Sequence, residues 1–179
     1  MVYEHQSDGC WPFPFTASQD IRLEDQRINL SLSYCNTHTD HVPVGLGWHP
    51  YFEKRAGARV IFDAKGRWEI GADKLPTHRT ECTGMNQDAQ NIEVDNCFDG
   101  WSGIAEISDP LLTLRISSQT GFMVAYTKCE LGFLALEPVS HVSNALQLSD
   151  SLGCDAAKLG MSSLAPGGTL RLDISIDVR

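Results

Sequence analysis

Two stretches of this chain combine an ionisable side chain with a rigid setting suited to proton transfer. One is Gly45-Leu-Gly-Trp-His-Pro-Tyr-Phe52; the other is Gly132-Phe-Leu-Ala-Leu-Glu-Pro138. Pro50 fixes its own φ and drives His49 toward extended backbone, while Gly45 and Gly47 let main chain pass close to a neighbour. A histidine so constrained can serve as a positioned acid or as a structural histidine at a strand end. Glu137 closes an apolar run. Desolvation there would disfavour the carboxylate and lift its pKa toward the range where a general base works best. The alternative is a strand-end glutamate reaching solvent, and Pro138 is expected to end strand pairing just after it. Asp95, in Val94-Asp-Asn-Cys-Phe-Asp-Gly-Trp101, is a third candidate, whereas Asp99 before Gly100 reads as turn chemistry.

Other chemistries find less support. His5, His38, His41 and His78 lie in polar company and read as solvent-facing. His141, four residues after Glu137, either lines the same site or packs. No HxH or HExxH pair and no CxxC pair suggests a metal, and no cofactor motif is present. There is no GxSxG nucleophile elbow and no phosphate-binding glycine loop. Arg55 and Arg59 are the one close pair of arginines near the histidine segment.

These groups must be carried by strands. Ile28, Leu30, Leu32 and Tyr34 alternate with polar residues, and Leu170, Leu172, Ile174, Ile176 and Val178 do so more regularly, at period two rather than 3.6. Further strands are predicted over 59–63, 68–70, 104–107, 111–117, 122–127 and 133–136, separated by Asp99-Gly100, Ser108-Asp-Pro110, Thr120-Gly121 and Pro166-Gly-Gly168. Many short strands with frequent turns predict an antiparallel β-sandwich or barrel. Gly153 interrupts 145–159, which reads as loop with a turn of helix. The stretch 74–96 reads as the longest polar connection, a kind of segment that is commonly functional.

Composition bounds the setting. At 179 residues the chain suits one domain, 1–179, large enough to bury about two-thirds of its unfolded surface. A net charge of −9 argues against a nucleic-acid partner, which would need a clustered basic face. No apolar run is long enough to span a membrane, and the first residues, Met-Val-Tyr-Glu-His-Gln-Ser-Asp, have neither the basic nor the apolar region of an export signal. The expectation is a cytoplasmic protein with its six scattered cysteines reduced.

Taken together, the segments resemble the aldose 1-epimerase (galactose mutarotase) family. Members carry a proline- and glycine-containing stretch ending in His-Pro-Tyr-Phe, a later Asp-x-x-Phe, and a glutamate near the C-terminal end. Here these are Asn36 through Phe52, Asp95-Asn-Cys-Phe98 and Glu137-Pro138. Trp11-Pro-Phe-Pro-Phe15 and Leu164-Ala-Pro-Gly-Gly-Thr-Leu170 also look like family strands, so the likeness covers nearly the whole chain. The resemblance implies an all-β antiparallel sandwich of the galactose mutarotase (supersandwich) type, with a sugar in a cleft on one sheet face and no metal or cofactor. It implies Glu137 as the base at the anomeric hydroxyl, His49 as the acid at the ring oxygen and Asp95 as a carboxylate holding a sugar hydroxyl. Trp48, Trp101, Phe98 and His141 are candidates to contact the sugar, with a core position the alternative for each aromatic.

The family also has a considerable N-terminal portion ahead of the Trp11 region, with further strands, a sugar-binding arginine and another active-site histidine. Relative to that pattern this chain is N-terminally truncated. It is read as a fragment, the product of a shortened gene, or a variant that fills the gap by association. Absent strands would leave an edge or an apolar face open that a second copy could cover, so a homo-oligomer is expected. The leading expectation is interconversion of α and β anomers of a hexose such as galactose or glucose. The alternatives are a hexose-phosphate 1-epimerase using Arg55 and Arg59, a non-catalytic sugar-binding module, and an inactive fragment.

Overall fold

Alternation of apolar and polar residues in an extended chain puts the apolar ones on one face, and two such faces close on each other. In the computed structural model, which describes residues 1–179, sixteen strands numbered along the chain do this. One sheet holds β1 (Val2–His5), β2 (Phe15–Glu24), β3 (Arg27–Asn36), β6 (Arg59–Phe62), β9 (Met85–Asp88), β11 (Ile104–Ser108), β12 (Thr113–Ser118) and β16 (Thr169–Val178). Its order is β1-β2-β3-β16-β12-β11-β6-β9. The second holds β5 (Tyr51–Glu53), β7 (Gly66–Ile70), β8 (Pro76–Glu81), β10 (Val94–Asp99), β13 (Phe122–Thr127) and β14 (Phe133–Val139), in the order β5-β14-β13-β10-β7-β8. β4 (Val42–Val44) and β15 (Ser162–Leu164) form a separate pair. The pairings are antiparallel, so the all-β sandwich read from the sequence is the fold.

Between the sheets Leu30, Ile116, Leu172, Ile174 and Ile176 meet Phe98, Met123, Leu134 and Leu136 in one buried cluster. A smaller cluster sits on the outer side of the six-stranded sheet. There a helix, α1 (Ala145–Leu152), and the turn Ala156–Leu159 press Ala145, Leu148 and Leu159 onto Trp68 and Cys97. Burial pushes the Cys97 thiol up to about 12, so it stays protonated. The sequence reading of 145–159 as loop is corrected here. Gly153 does not break the helix but ends it, in left-handed geometry with its N–H on the carbonyls of Ser149 and Asp150.

The stretch 74–96 is likewise not a connection. It contains β8 and β9, and each is the outermost strand of its sheet. Their side chains are polar because edge strands face water, which removes the alternation that marks a half-buried strand.

The eight-stranded sheet is wider than the sheet it covers. Register places Ile21 beside Leu30 and Ile174, and Leu23 beside Ile28 and Ile176, on the core-facing side, yet Ile21 is 59% and Leu23 80% exposed. An apolar strip is thus open to solvent at the β2 end of the core. Ile21→Thr and Leu23→Thr are each expected to change unfolding free energy by no more than about 0.5 kcal/mol, as for surface positions. Ile116→Ala, at a fully buried position a few strands away, is expected to cost about 2–5 kcal/mol. Urea titrations of the three variants make the comparison.

Candidate active site

The backbone sets the first feature of the site. Gly47 bridges Val139, and Tyr51 pairs with Ala135. These two pairings share one register on either side of Pro50, so His49 stands directly opposite Glu137. The segment is fastened by Trp48 N–H on the Pro138 carbonyl (3.2 Å), Ser140 N–H on the Leu46 carbonyl (2.7 Å) and Leu46 N–H on Ser140 Oγ (2.8 Å). Pro138 does not end pairing, contrary to the sequence reading: β14 continues through it, with Pro138 opposite Met123. In an antiparallel strand a residue's N–H and C=O point to the same side. The Pro138 carbonyl faces Trp48, so its absent N–H falls on that irregular side and the ladder to β13 is intact.

Across this pairing His49 Nε2 lies 3.0 Å from Glu137 Oε1. The two side chains differ in setting: Glu137 is 11% exposed and His49 49%. Burial raises the Glu137 pKa to about 7, and the Asp95 carboxylate adds to the rise by repulsion. An imidazolium at His49 would act in the opposite sense. The carboxyl can therefore gain or lose a proton near neutrality, beside an imidazole able to exchange one with it.

Asp95 reaches the same face from β10. It is paired with Tyr126, which neighbours Ala135, which neighbours Tyr51, so Asp95, Tyr126, Ala135 and Tyr51 form the rung next to Glu137. Asp95 is exposed and its carboxylate has no hydrogen-bond donor in the protein, leaving it free to accept from a ligand.

The aromatic and histidine candidates fare differently. Trp101 is corrected: it is 4% exposed, belongs to the core between the sheets, and spends its indole N–H on the Ile104 carbonyl. Phe98 is a core residue too, edge-on to Phe62. Trp48 alternates with His49 and so points the other way, packing half-buried against the core. His141 lies beyond the end of β14, its ring over Gly45, where any side chain would collide with it, and its Nδ1 3.1 Å from Ser140 Oγ. Burial lowers its pKa, so it is a neutral packing group. The rings on the site face are instead Tyr51 and Tyr126. Period-two reading of 122–127 groups Phe122, Val124 and Tyr126 on one face; it does not say that this face is outward.

Asp99 is also more than a turn residue. Gly100 does make the turn, at φ 62°, but the Asp99 carboxylate receives Trp68 Nε1–H (2.8 Å) and both Arg79 Nε–H (2.7 Å) and an Arg79 terminal N–H (2.8 Å). This ties β7, β8 and β10 together and neutralises the one arginine on the site face. Arg55 and Arg59, considered above for phosphate, are engaged elsewhere, by Asp109 (2.7 Å) and by Asn86 (2.5 Å).

Two interlocked antiparallel sheets with a helix on the outer face of one define a galactose mutarotase-like sandwich. Known structures agree. A solved Escherichia coli K12 protein, provisionally assigned as an aldose 1-epimerase, superposes with a TM-score of 0.85 at 24% identity, over 99% of this chain and 64% of that one. A galactose mutarotase-like protein from Clostridium acetobutylicum superposes at 0.86 with 14% identity, over 99% and 61%. In sequence the chain is 28% identical over 195 residues to YphB, an uncharacterized protein of Escherichia coli K12, covering 99% of this chain and 64% of that protein. The model of the family described as aldose 1-epimerase matches residues 1–175, and the chain belongs to that family. It spans somewhat less than two-thirds of the length of YphB.

The raised pKa of Glu137 has a thermodynamic counterpart. The folded protein holds this proton more tightly than the unfolded chain, whose carboxyl has the ordinary value near 4.5. Its contribution to stability is therefore complete below that value and lost as pH rises through about 7. Glu137→Gln, which carries no charge at any pH, is expected to unfold with on the order of 1–3 kcal/mol more stability than the parent at pH 8 and with no gain at pH 4. Denaturant melts at the two pH values read this directly.

Proposed function

We propose that the His49–Glu137 pair catalyses aldose 1-epimerisation of a neutral hexose. The observation that carries this reading is a carboxyl with a pKa near 7 placed 3.0 Å from an imidazole on an open sheet face. Ring opening needs a proton removed from the anomeric hydroxyl and one delivered to the ring oxygen, two atoms bonded to the same carbon. A sugar seated over the pair, with O1 toward Glu137 and O5 toward His49, would give its O1 proton to the Glu137 carboxylate and take a proton from His49 onto O5. The C1–O5 electron pair goes to the ring oxygen, and C1 becomes an aldehyde. Rotation about C1–C2 presents the other carbonyl face, and reclosure runs the same transfers in reverse. Asp95 would accept a hydrogen bond from a sugar hydroxyl and Tyr126 would lie against the ring. These are neutral-ligand contacts: the face shows carboxylates, and its arginine is already occupied by Asp99. The two arginines considered for a phosphate are engaged by Asp109 and Asn86, so no observation favours the hexose-phosphate reading.

The chain spans 64% of its relative, so a sugar-binding role without turnover is the second reading. Polarimetry of freshly dissolved α-galactose and α-glucose separates the two. The chain is expected to accelerate equilibration over the buffer blank, and His49→Gln and Glu137→Gln each to lower the rate by about 10²–10⁴. Sugar binding detected by ligand-observed NMR with no acceleration selects the binding module.

A further inference from the structure

His49 lacks the usual means of holding an acid–base imidazole in place. Such a ring is ordinarily oriented by a hydrogen bond from its second nitrogen to a carboxylate or carbonyl. Here Nε2 meets Glu137, and no protein group bonds Nδ1; the side chain is also about half exposed, so general packing does not immobilise it. An aromatic contact is made by Tyr51. Two residues on along the chain and on the same side of it, its ring centroid lies 4.6 Å from the imidazole, with planes 31° apart. Tyr51 is itself held edge-on by Phe133 of β14, at 5.2 Å and 82°. It is 61% exposed on an edge strand, a poor place for a large aromatic whose purpose is core burial.

We propose that Tyr51 is a positioning residue that, braced by Phe133, holds the His49 imidazole with Nε2 on Glu137. The inference rests on the acid–base reading for its kinetic consequence, but not for its structural one. The imidazole meets Glu137 from β14 and Tyr51 from β5. Without the tyrosine ring the imidazole can turn about both side-chain torsions toward water, and the fraction of time spent on Glu137 falls. Offset stacking of this kind needs the ring face and not the hydroxyl.

The experiment compares the parent chain with Tyr51→Phe and Tyr51→Leu; Tyr51→Thr, a β-branched residue suited to an edge strand, serves if the Leu variant melts lower than the parent. The first readout is the nuclear Overhauser effect between the His49 ring protons and the Glu137 methylenes, which does not involve the substituted side chain. It is expected to persist in Tyr51→Phe and to disappear in Tyr51→Leu. The second is the anomerisation rate: Tyr51→Phe is expected within about twofold of the parent. Tyr51→Leu is expected to lose roughly ten- to a hundredfold in kcat with KM changed less than threefold, as for a misplaced catalytic group. An undiminished His49–Glu137 effect in Tyr51→Leu overturns the proposal, as does a loss in Tyr51→Phe equal to that in Tyr51→Leu. A rise in KM with kcat kept also overturns it, since Tyr51 would then be touching sugar. If the parent does not accelerate anomerisation, the epimerase reading falls and the Overhauser comparison alone decides the role of Tyr51.

Discussion

The arrangement of the site depends on one antiparallel register carried unbroken across a proline. Gly47 opposite Val139 and Tyr51 opposite Ala135 leave no choice for the residue between them, and His49 falls on Glu137. Two prolines are accommodated here because each lacks its N–H where regular pairing is already interrupted. Pro50 lies between the Gly47 bridge and β5, and the missing donor of Pro138 faces that same irregular side. β5 is the outermost strand of the six-stranded sheet, and the Gly47 bridge carries its register further along β14. The imidazole and the carboxyl need no loop to bring them together.

The two faces of the six-stranded sheet divide the work. Inward, Leu134, Leu136, Met123 and Ala125 close the main core. Outward, α1 and the following turn cover the part of the face over Trp68 and Cys97, and the remainder stays open around Glu137, Tyr126 and Asp95. The partial cover explains the electrostatics. Glu137 is near enough to packed protein to lose most of its hydration, yet it has the exposed His49 as its partner, so its proton affinity rises without the group being sealed off.

Much of this was legible in the sequence where hydrophobic alternation or backbone restriction leaves a mark. The long strands β3 and β16 alternate cleanly because one side faces the core and the other water, and the His-Pro-Tyr-Phe and Leu-Glu-Pro stretches stood out through their prolines. The pairing of His49 with Glu137 was not legible, because it depends on a register between segments nearly ninety residues apart; the family resemblance suggested it and the bridges at Gly47 and Tyr51 establish it. Edge strands β8 and β9 were hidden by their polarity. Trp101 was misassigned since an aromatic beside a turn looks the same whether it turns to the core or to a cleft, and Asp99 because a carboxylate before glycine satisfies turn chemistry and an ion pair alike.

Sharing of a face by parity has an evolutionary corollary. Substitution at most positions between Gly47 and Tyr51 changes a side chain and leaves its neighbours where they are. Insertion or deletion of a single residue there inverts the sense of every side chain downstream of it, turning the imidazole toward the core and a hydrophobe toward the outer face. Whatever substitutions the segment accepts, its length between those two anchors is fixed for as long as the imidazole is kept on the carboxylate.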